Sequence, residues 1–354
     1  MGMPSVSITF TELAATAIKR GDRGIIAMIL KDENVLETNP AVCMSNEDVP
    51  TTLSEANQEQ IKLALMGYVN APKKVIAYVL ASDAKDYTDA LNYLKTEKFD
   101  YLVVPTAATD AKTADIVSYV KTQREANKLI KAVLPNTAGD NEGIINYATE
   151  SVTSGDVTYT TEQYCARIAG IIAGTPLSIA CTYAPLSELT DCTRLTRDEM
   201  DKAVDAGKII AWWDGEKVKL SRGVNSLVTL TQGKNTQFQK IKIVDAMDMI
   251  ENDIRSTIED SYIGKYANTY DNKCLLISAI GNYFDQLVLD NVIQSYSVEV
   301  DIAANRSYLK GRGKDVDNMT DEEIKTANTG SYVYLTCSLS ILDAIEDVVI
   351  PISI

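Results

Sequence analysis

From residue 222 the chain reads Arg-Gly-Val-Asn-Ser-Leu-Val-Thr-Leu-Thr, and from residue 238 it reads Phe-Gln-Lys-Ile-Lys-Ile-Val-Asp-Ala-Met-Asp-Met-Ile. The pattern predicts a short strand followed by two long helices, the second lying near Cys274–Leu289. In the first helix, apolar residues recur at helical spacing and form one face, with carboxylates between them that we interpret as solvated. The apolar residues are Ile243, Val244, Met247, Ile250, Ile254 and Ile258, and the carboxylates are Asp245, Asp248, Glu251, Asp253 and Glu259.

Three short sequences within this stretch carry a resemblance to a known protein family. They are Arg-Gly-Val-Asn-Ser-Leu at 222–227, Lys-Ile-Val-Asp-Ala-Met-Asp-Met-Ile at 242–250 and Tyr-Ile-Gly-Lys-Tyr-Ala-Asn at 262–268. With them the chain resembles contractile tail sheath proteins, which occur in contractile-tailed phages and R-type bacteriocins. The segment at 166–177, Ala-Arg-Ile-Ala-Gly-Ile-Ile-Ala-Gly-Thr-Pro-Leu, is similar to the middle domain of that family. Periodicity alone would favour an ordinary pair of packed helices.

The length and composition indicate a globular protein of two domains, with neither nucleic acid nor a membrane as an expected partner. Its 354 residues are 45% hydrophobic and carry a net charge of −15. Because phosphate binding needs clustered cations, nucleic acid is not an expected partner, and self-assembly would need specific contacts to overcome repulsion between copies. The sequence contains no apolar run of about 18 residues, so no membrane-spanning helix is predicted, and the beginning of the chain lacks a signal-peptide pattern.

The residue types exclude several kinds of active site. Histidine is absent, which excludes serine–histidine and cysteine–histidine nucleophiles. The six cysteines form no Cys-x-x-Cys pair, so we expect free thiols and no zinc site. A P-loop is absent, and Gly311-x-Gly313 supplies too few glycines for a dinucleotide fingerprint. We therefore predict no catalytic residue, no cofactor and no metal.

Between residues 24 and 135, short apolar strands alternate with amphipathic helices, which predicts a doubly wound, largely parallel α/β domain. A later helix at 161–174 is expected to begin with Thr161 as its cap. The segments 139–155 and 187–197 are interpreted as polar connectors. The predicted strands are 24–30, 75–80, 101–104 and 129–134, and the predicted helices are 54–68, 84–98 and 110–126.

The remainder of the chain predicts an α+β domain. A short charged helix at 197–206 precedes a hairpin around Asp214-Gly215, which is a strong turn signal. A short helix near residue 320 has Thr320 as its N-cap and Glu323 at the capping-box position. Two further strands are expected at 296–302 and 332–341, with a loop at 303–314.

Both termini alternate apolar and polar residues, which is typical of β-strands. Val6, Ile8 and Phe10 share one face at the beginning, and Val348, Ile350, Ile352 and Ile354 share one face at the end. Such strands either pair within their own chain or add to sheet edges of neighbouring subunits, and the resemblance favours exchange between subunits. The predicted domains are an N-terminal arm at 1–20, an outer α/β domain at 21–207, a C-terminal α+β core domain at 208–342 and a C-terminal strand arm at 343–354.

The stretch between Asp301 and Asp315 is basic within an otherwise acidic chain. It contains no carboxylate and four cations, Arg306, Lys310, Arg312 and Lys314. The ordinary interpretation is a solvated loop. In the sheath family a basic surface of the C-terminal domain meets an acidic inner tube, so the resemblance implies that these four residues are candidates for tube contact.

The resemblance implies a structural subunit of a contractile tail sheath and not an enzyme. Copies would form stacked six-fold rings, as a helical homopolymer, around an inner tail tube, and the sheath would contract to drive the tube through the target cell envelope. Expected partners are further copies, the tube protein, and baseplate and tail-terminator proteins, with assembly in the bacterial cytoplasm into a phage tail or a released phage-tail-like particle. Two alternatives are a cytoplasmic α/β enzyme with an unrecognised carboxylate site and a non-contractile self-assembling structural protein.

Overall fold

The computed structural model of the chain describes residues 17–34 and 36–353, and these divide into two compact units. The larger unit consists of Gly21–Ile250 together with residues 342–353. The smaller unit consists of residues 17–20 together with Glu251–Ile341, so in sequence it interrupts the larger one. Within the described ranges, no helix combines the length and the apolar character that crossing a membrane requires.

A seven-stranded sheet forms the centre of the larger unit. In chain order, the strands of this unit are β1 (Ile25–Asp32), β2 (Ala41–Cys43), β3 (Lys74–Ala81), β4 (Tyr101–Val103), β5 (Lys131–Pro135), β6 (Ile144–Tyr147), β7 (Ser151–Ser154), β8 (Val157–Thr160), β9 (Asp191–Cys192), β10 (Lys208–Ile209), β11 (Ala211–Trp213) and β12 (Val218–Leu220). The central sheet has the order β10-β6-β5-β4-β1-β3-β2, and its pairings are parallel except that of β2 with β3. Strands β7, β8 and β9 form a small antiparallel sheet, and β11 pairs with β12 in a hairpin.

Helices cover both faces of the central sheet. Alternate residues of β1 point to opposite faces. Ile26 and Met28 pack in one core with α1 (Glu55–Leu65) and α4 (Thr161–Ala173), whereas Ala27 and Ile29 pack in another with α2 (Thr88–Leu94) and α3 (Thr113–Glu125). The doubly wound α/β domain predicted from the sequence is thereby confirmed. The helices are α1 (Glu55–Leu65), α2 (Thr88–Leu94), α3 (Thr113–Glu125), α4 (Thr161–Ala173) and α5 (Arg197–Asp205), with 3-10 turns at Asn46–Asp48 and Thr236–Gln239.

Two predictions about this unit are wrong in detail. Helix α4 is capped by Thr160, whose side chain accepts a hydrogen bond from the backbone of Gln163, and the hydroxyl of Thr161 instead donates to the carbonyl of Thr149 at 2.8 Å. The predicted connector at 139–155 contains β6 and β7, and β6 is buried along its whole length. The apolar run of β6 is interrupted by Asn146 and lies in an otherwise polar stretch, which is why the pattern does not reveal this strand.

The two compact units do not separate at the boundary predicted near Gly207. Strand β10 follows that residue directly and pairs in parallel with β6, so the chain is still part of the central sheet. The hairpin predicted around Asp214-Gly215 is confirmed as β11 and β12, and it also belongs to the larger unit. This unit continues to Ile250, and the chain enters it again at Leu342.

Helix α6 begins in the larger unit and ends in the smaller one. Both predicted long helices are confirmed, but the strand expected before them is reduced to one bridge between Val224 and Lys240. In the smaller unit, Tyr283 donates a hydrogen bond to Asp253 at 2.8 Å, and this contact joins the two helices. The elements are α6 (Ile241–Ser261), α7 (Tyr270–Leu289), β13 (Ile293–Val300), α8 (Ile302–Gly311), α9 (Asp321–Thr326) and β14 (Leu335–Ile341), with β13 and β14 paired antiparallel.

The stretch at 303–314, which we predicted as a loop, forms most of helix α8. Asp301 caps the helix by accepting from the backbone of Ala304 at 2.8 Å. Asn305 and Leu309 are buried one turn apart, and Ile302 and Tyr308 pack partly buried against the same small core. Because one of the two buried positions is an asparagine, the sequence shows little apolar periodicity there. The capping box of Thr320 and Glu323 at the start of α9 is confirmed.

The structure bears on one of the two predicted terminal strands. Val6, Ile8 and Phe10 lie outside the described residues, as does Ile354. Residues 342–353 follow directly after β14, which is paired with β13, and they contain no strand themselves. Within the described part of its own chain, the C-terminal segment therefore has no strand partner.

Candidate assembly interface

Residues 342–347 form no regular element, yet ion pairs and hydrogen bonds hold them to the larger unit. Lys242 Nζ donates to the carbonyl of Leu342, and Lys240 Nζ pairs with the carboxylate of Asp343. Both lysines lie at the start of α6 or just before it. Cations at the beginning of α6 therefore bind the segment 342–347.

Glu346 is the most buried carboxylate of this segment, with 6% of its side chain exposed. Its Oε1 accepts a hydrogen bond from Thr182 Oγ1 at 2.5 Å, and its Oε2 lies 3.0 Å from Lys240 Nζ. Arg222 lies 3.6 Å from Glu346 and 2.6 Å from the exposed carboxylate of Asp347. The root clamp, as we name this group, comprises Leu342, Asp343, Glu346 and Asp347 with Thr182, Arg222, Lys240 and Lys242.

The apolar side chains around and beyond the root clamp are exposed. They are Ile345 at 90%, Val348 at 67%, Val349 at 91%, Ile350 at 72% and Ile352 at 81% exposure. Contiguous apolar surface of this kind on a single chain marks an interaction site. Val348, Ile350 and Ile352, which we predicted to share one strand face, are thus available to another chain.

The four predicted tube-contact residues do not share one environment. Arg306 pairs with Asp321 at 2.9 Å, so it links α8 to the start of α9 within the subunit. Arg312 lies over the ring of Tyr308 at 5.5 Å from its centroid. The exposed cations at and beyond the end of α8 are Lys310, Arg312 and Lys314.

A buried cluster of charges fixes the first half of α6 to the central sheet. Asp245 Oδ2 accepts from Arg23 Nη2 at 2.6 Å and from the Tyr101 hydroxyl at 2.5 Å. Asp245 Oδ1 lies 3.2 Å from Lys131 Nζ. Arg23 precedes β1, and Tyr101 and Lys131 are the first residues of β4 and β5. The cluster therefore lies where these parallel strands begin.

Asp248, one turn further along α6, extends the same cluster. It accepts from Lys131 Nζ at 2.6 Å and from both terminal nitrogens of Arg124 at 2.9 and 3.0 Å. Arg124 stands at the end of α3 and lies 3.9 Å from Glu142. A bidentate arginine pair of this geometry is among the stronger ion pairs in proteins. Both carboxylates thus bind α6 to elements of the sheet layer.

Comparison with known proteins identifies the family. Residues 81–226 match the family described as phage tail sheath protein central domain, and residues 233–354 match the phage tail sheath C-terminal domain. The chain is 38% identical over 354 residues to the tail sheath protein of Clostridium phage phiCD119, and the match covers 98% of each chain. The chain belongs to the phage tail sheath family.

Solved sheath proteins share the fold of this sheath subunit. The sheath tail protein of Desulfitobacterium hafniense superposes with a TM-score of 0.72 at 19% identity, covering 84% of this chain and 93% of that one. The anti-feeding prophage helical sheath in its contracted state has a TM-score of 0.72 at 14% identity, covering 100% of this chain and 99% of that one. The chain is therefore a tail sheath subunit.

In the buried cluster, the opposite charges around Asp245 and Lys131 outweigh the effect of burial on the pKa of each group. Burial by itself would raise the pKa of Asp245, but the nearby Lys131 and Arg23 and the Tyr101 hydrogen bond outweigh burial and lower this pKa. Burial would likewise lower the pKa of Lys131, but Asp248 and Asp245 outweigh it and raise this pKa. The pKa of Tyr101 is raised well above its usual range by burial and by Asp245.

Sequence reasoning missed this cluster, because it interpreted the carboxylates of α6 as solvated. Asp245 and Asp248 are buried, at 4% and 7% exposure, as is Asp253 at 4%. A signal was present: between residues 241 and 250 apolar side chains occur on all sides of the helix, and such a helix is normally buried. Because burial of an unpaired charge is unfavourable, carboxylates on a buried helix are normally paired with cations.

A cavity of about 710 Å³ lies beside the root clamp of the sheath subunit. Its walls include Tyr183, Trp212, Arg197, Glu346 and Asp347. The described residues contain no group of three or more histidine, cysteine or acidic side chains that could hold a metal ion. The walls of the cavity thus carry both charged and aromatic side chains.

Proposed function

We propose that the sheath subunit polymerises in stacked six-fold rings around an inner tail tube, and that contraction of this helical polymer drives the tube through a target envelope. The observation that supports the proposal best is the exposed apolar segment 348–352 beyond the root clamp. Exposed apolar surface costs free energy in water, and a sheet edge on another copy would remove it from water. Family membership supports the same function.

Arms at both ends would join the subunits. The C-terminal arm carries Val348, Ile350, Ile352 and Ile354 on one face, and the N-terminal arm carries Val6, Ile8 and Phe10. Each arm would add to a sheet edge of a different copy. Such contacts are heterologous, so they propagate into an open helical lattice rather than closing as a dimer.

The tube contact would be made by the basic end of α8. Lys310, Arg312 and Lys314 are exposed there, and an acidic tube surface would complement them. Arg306 would contribute less, since it is already paired with Asp321. The C-terminal α+β domain predicted at 208–342 would then line the inside of the sheath, and the α/β domain predicted at 21–207 would face outward.

The subunit would act without catalysis and without a cofactor. The energy for contraction would be stored at assembly, in an extended state held by kinetic barriers and tube contacts, and released when subunits re-pair their surfaces. Assembly would take place in the bacterial cytoplasm, with baseplate and tail-terminator proteins at the two ends of the sheath.

Electron microscopy of purified protein tests polymerisation and the arm together. We expect the full chain to form hollow cylinders when it is concentrated or mixed with tube protein. A variant with Val348→Ser, Ile350→Ser and Ile352→Ser should stay folded by circular dichroism and form no cylinders. The matched control is Val157→Ser, which changes a residue of β8 that is 52% exposed and should leave assembly intact.

Two outcomes contradict the proposal in different ways. Discrete small oligomers of the full chain, even with tube protein present, would exclude a polymerising sheath. Normal cylinders from the triple serine variant would instead exclude the C-terminal arm as a joint between subunits.

A further inference from the structure

The chain leaves the smaller unit at Ile341, and the residues that follow are bound to the larger unit by ion pairs and hydrogen bonds. Within the next six residues, three carboxylates and one carbonyl are bound: Asp343 by Lys240, Glu346 by Lys240, Arg222 and Thr182, Asp347 by Arg222, and the Leu342 carbonyl by Lys242. The cations come from two separate places in the sequence. These places are themselves joined, because Val224 forms a bridge with Lys240 and Ile241 N donates to Gly223 O at 3.1 Å.

Burial makes the contact at Glu346 stronger than an ordinary surface pair. Exposed ion pairs contribute about 0–1 kcal/mol because solvent screens them. Glu346 has 6% of its side chain exposed, against 25% for Lys240 and 34% for Arg222. An unpaired buried charge is strongly unfavourable. If Glu346 lost its partners, its carboxylate would therefore move out into solvent. Loss of the cations would therefore release the segment.

Within the segment 342–353, the bound residues are followed directly by exposed ones. Glu346 is held on three sides, whereas Val348 and Val349 are 67% and 91% exposed. A change this sharp within three residues gives the exposed apolar segment one fixed origin on the surface of the subunit. An origin that is fixed before binding removes conformational freedom that would otherwise be lost on binding.

We propose that the root clamp is a positioning device for the C-terminal arm: Arg222, Lys240 and Thr182 hold Glu346 so that residues 348–353 leave the subunit at one place and in one direction. The partner is a second copy of this chain, which receives the arm. The inference rests on the proposed arm exchange. The clamp residues act by setting where the arm begins.

The test removes the cations and keeps the arm sequence intact. A variant with Arg222→Gln and Lys240→Gln removes both charges, and a second variant with Arg222→Lys and Lys240→Arg keeps them. The matched control, Lys202→Gln with Lys217→Gln, removes two exposed charges of the same unit. The readouts are amide hydrogen exchange at 343–347 in the unassembled full chain, the urea midpoint, and the critical concentration for cylinder formation.

We expect the double glutamine variant to exchange at least about tenfold faster at 343–347 and to need about tenfold more protein to assemble, which corresponds to about 1.4 kcal/mol. Its urea midpoint should stay close to that of the full wild-type chain. The charge-keeping variant and the control should behave as wild type. Unchanged exchange would show that the clamp does not hold the segment, and faster exchange with unchanged assembly would show that it does not position the arm; either result overturns the inference.

The two proposals fail in distinguishable ways. If the wild-type chain forms no cylinders, the proposed function fails, and the inference that rests on it is overturned as well. If the wild type assembles and the triple serine variant does not, while the double glutamine variant assembles normally, then the arm is needed but the root clamp is not.

Discussion

Asp245 shows how one carboxylate can be kept charged in the interior of a sheath subunit. Three groups, Arg23, Tyr101 and Lys131, lie within 3.2 Å of its two oxygens. A buried ion pair is not a strong source of net stability, because desolvation offsets much of the attraction. Its consequence is specificity: helix α6 can take one position against the sheet, and every other position leaves a charge unpaired.

The Asp245→Asn substitution should therefore destabilise the subunit strongly. It leaves Arg23 and Lys131 with one fewer buried counter-charge, and breaking such a pair costs about 3–5 kcal/mol. Urea unfolding followed by fluorescence measures the change. The control is Asp201→Asn, which removes an exposed carboxylate paired with Arg197 at 3.1 Å and should change stability by less than about 0.5 kcal/mol. Equal effects of the two substitutions would contradict the role given to burial.

The pH dependence of the same comparison has a defined sign. The pKa of Asp245 is lowered in the folded chain from its ordinary value of 3.8. Its contribution to stability is therefore fully present above that ordinary value and is lost as the pH falls through the lowered pKa. The stability gap between the wild type and Asp245→Asn should shrink as the pH falls below about 4.

At the scale of elements, the sequence predicted what local patterns encode. Strands β1, β3, β4 and β5 are evident in the sequence as apolar runs, and a proline closes β4 and β5. Helices α1, α3 and α4 are evident because each is long enough to show its period. Strand β6 has a short apolar run that Asn146 interrupts within a polar stretch, and one of the two buried residues of α8 is Asn305, so the sequence pattern reveals neither element.

The pairing of charges lies beyond any local pattern. Asp245 meets Arg23 across 222 positions of sequence, and Asp248 meets Arg124 across 124 positions. Helical spacing places both carboxylates on one side of α6, but it does not say which cations face them. The same holds for the root clamp, in which Arg222 meets Asp347 across 125 positions. Only the folded topology brings these residues together.

The contact between α1 and α4 gives the element-scale prediction. A Cβ on Gly170 of α4 would lie 2.2 Å from the backbone oxygen of Ala64 in α1, so Gly170→Ala should force the helices apart and destabilise the subunit by about 1–3 kcal/mol. The matched control is Gly281→Ala in α7, where the nearest atom is the Tyr296 hydroxyl at 3.5 Å. There alanine should be neutral or stabilising by up to about 1 kcal/mol. Thermal unfolding measures the stability of both variants. Unchanged stability of Gly170→Ala would mean that α1 and α4 do not cross so closely.

At the scale of the whole molecule, charge opposes assembly. Copies with a net charge of −15 repel one another, so the contacts that join them have to be local and specific. The exposed apolar segment 348–352 supplies contact without charge, and the clamp that precedes it neutralises its own carboxylates within the subunit. The exposed cations at the end of α8 are then free to meet an acidic partner.

The last prediction follows from those cations. Reversal of charge by Lys310→Glu, Arg312→Glu and Lys314→Glu should weaken attachment of the sheath to its tube while the subunit stays folded, because exposed charges contribute about 0–1 kcal/mol per pair to folding. Across an interface, like charges repel and slow association. The control reverses three exposed lysines of the larger unit, Lys95, Lys202 and Lys217, and changes the net charge equally. Co-sedimentation with purified tube protein at low and high salt measures attachment. Equal loss in both variants would assign the effect to net charge, and full attachment of the first variant would place the tube contact elsewhere on the subunit.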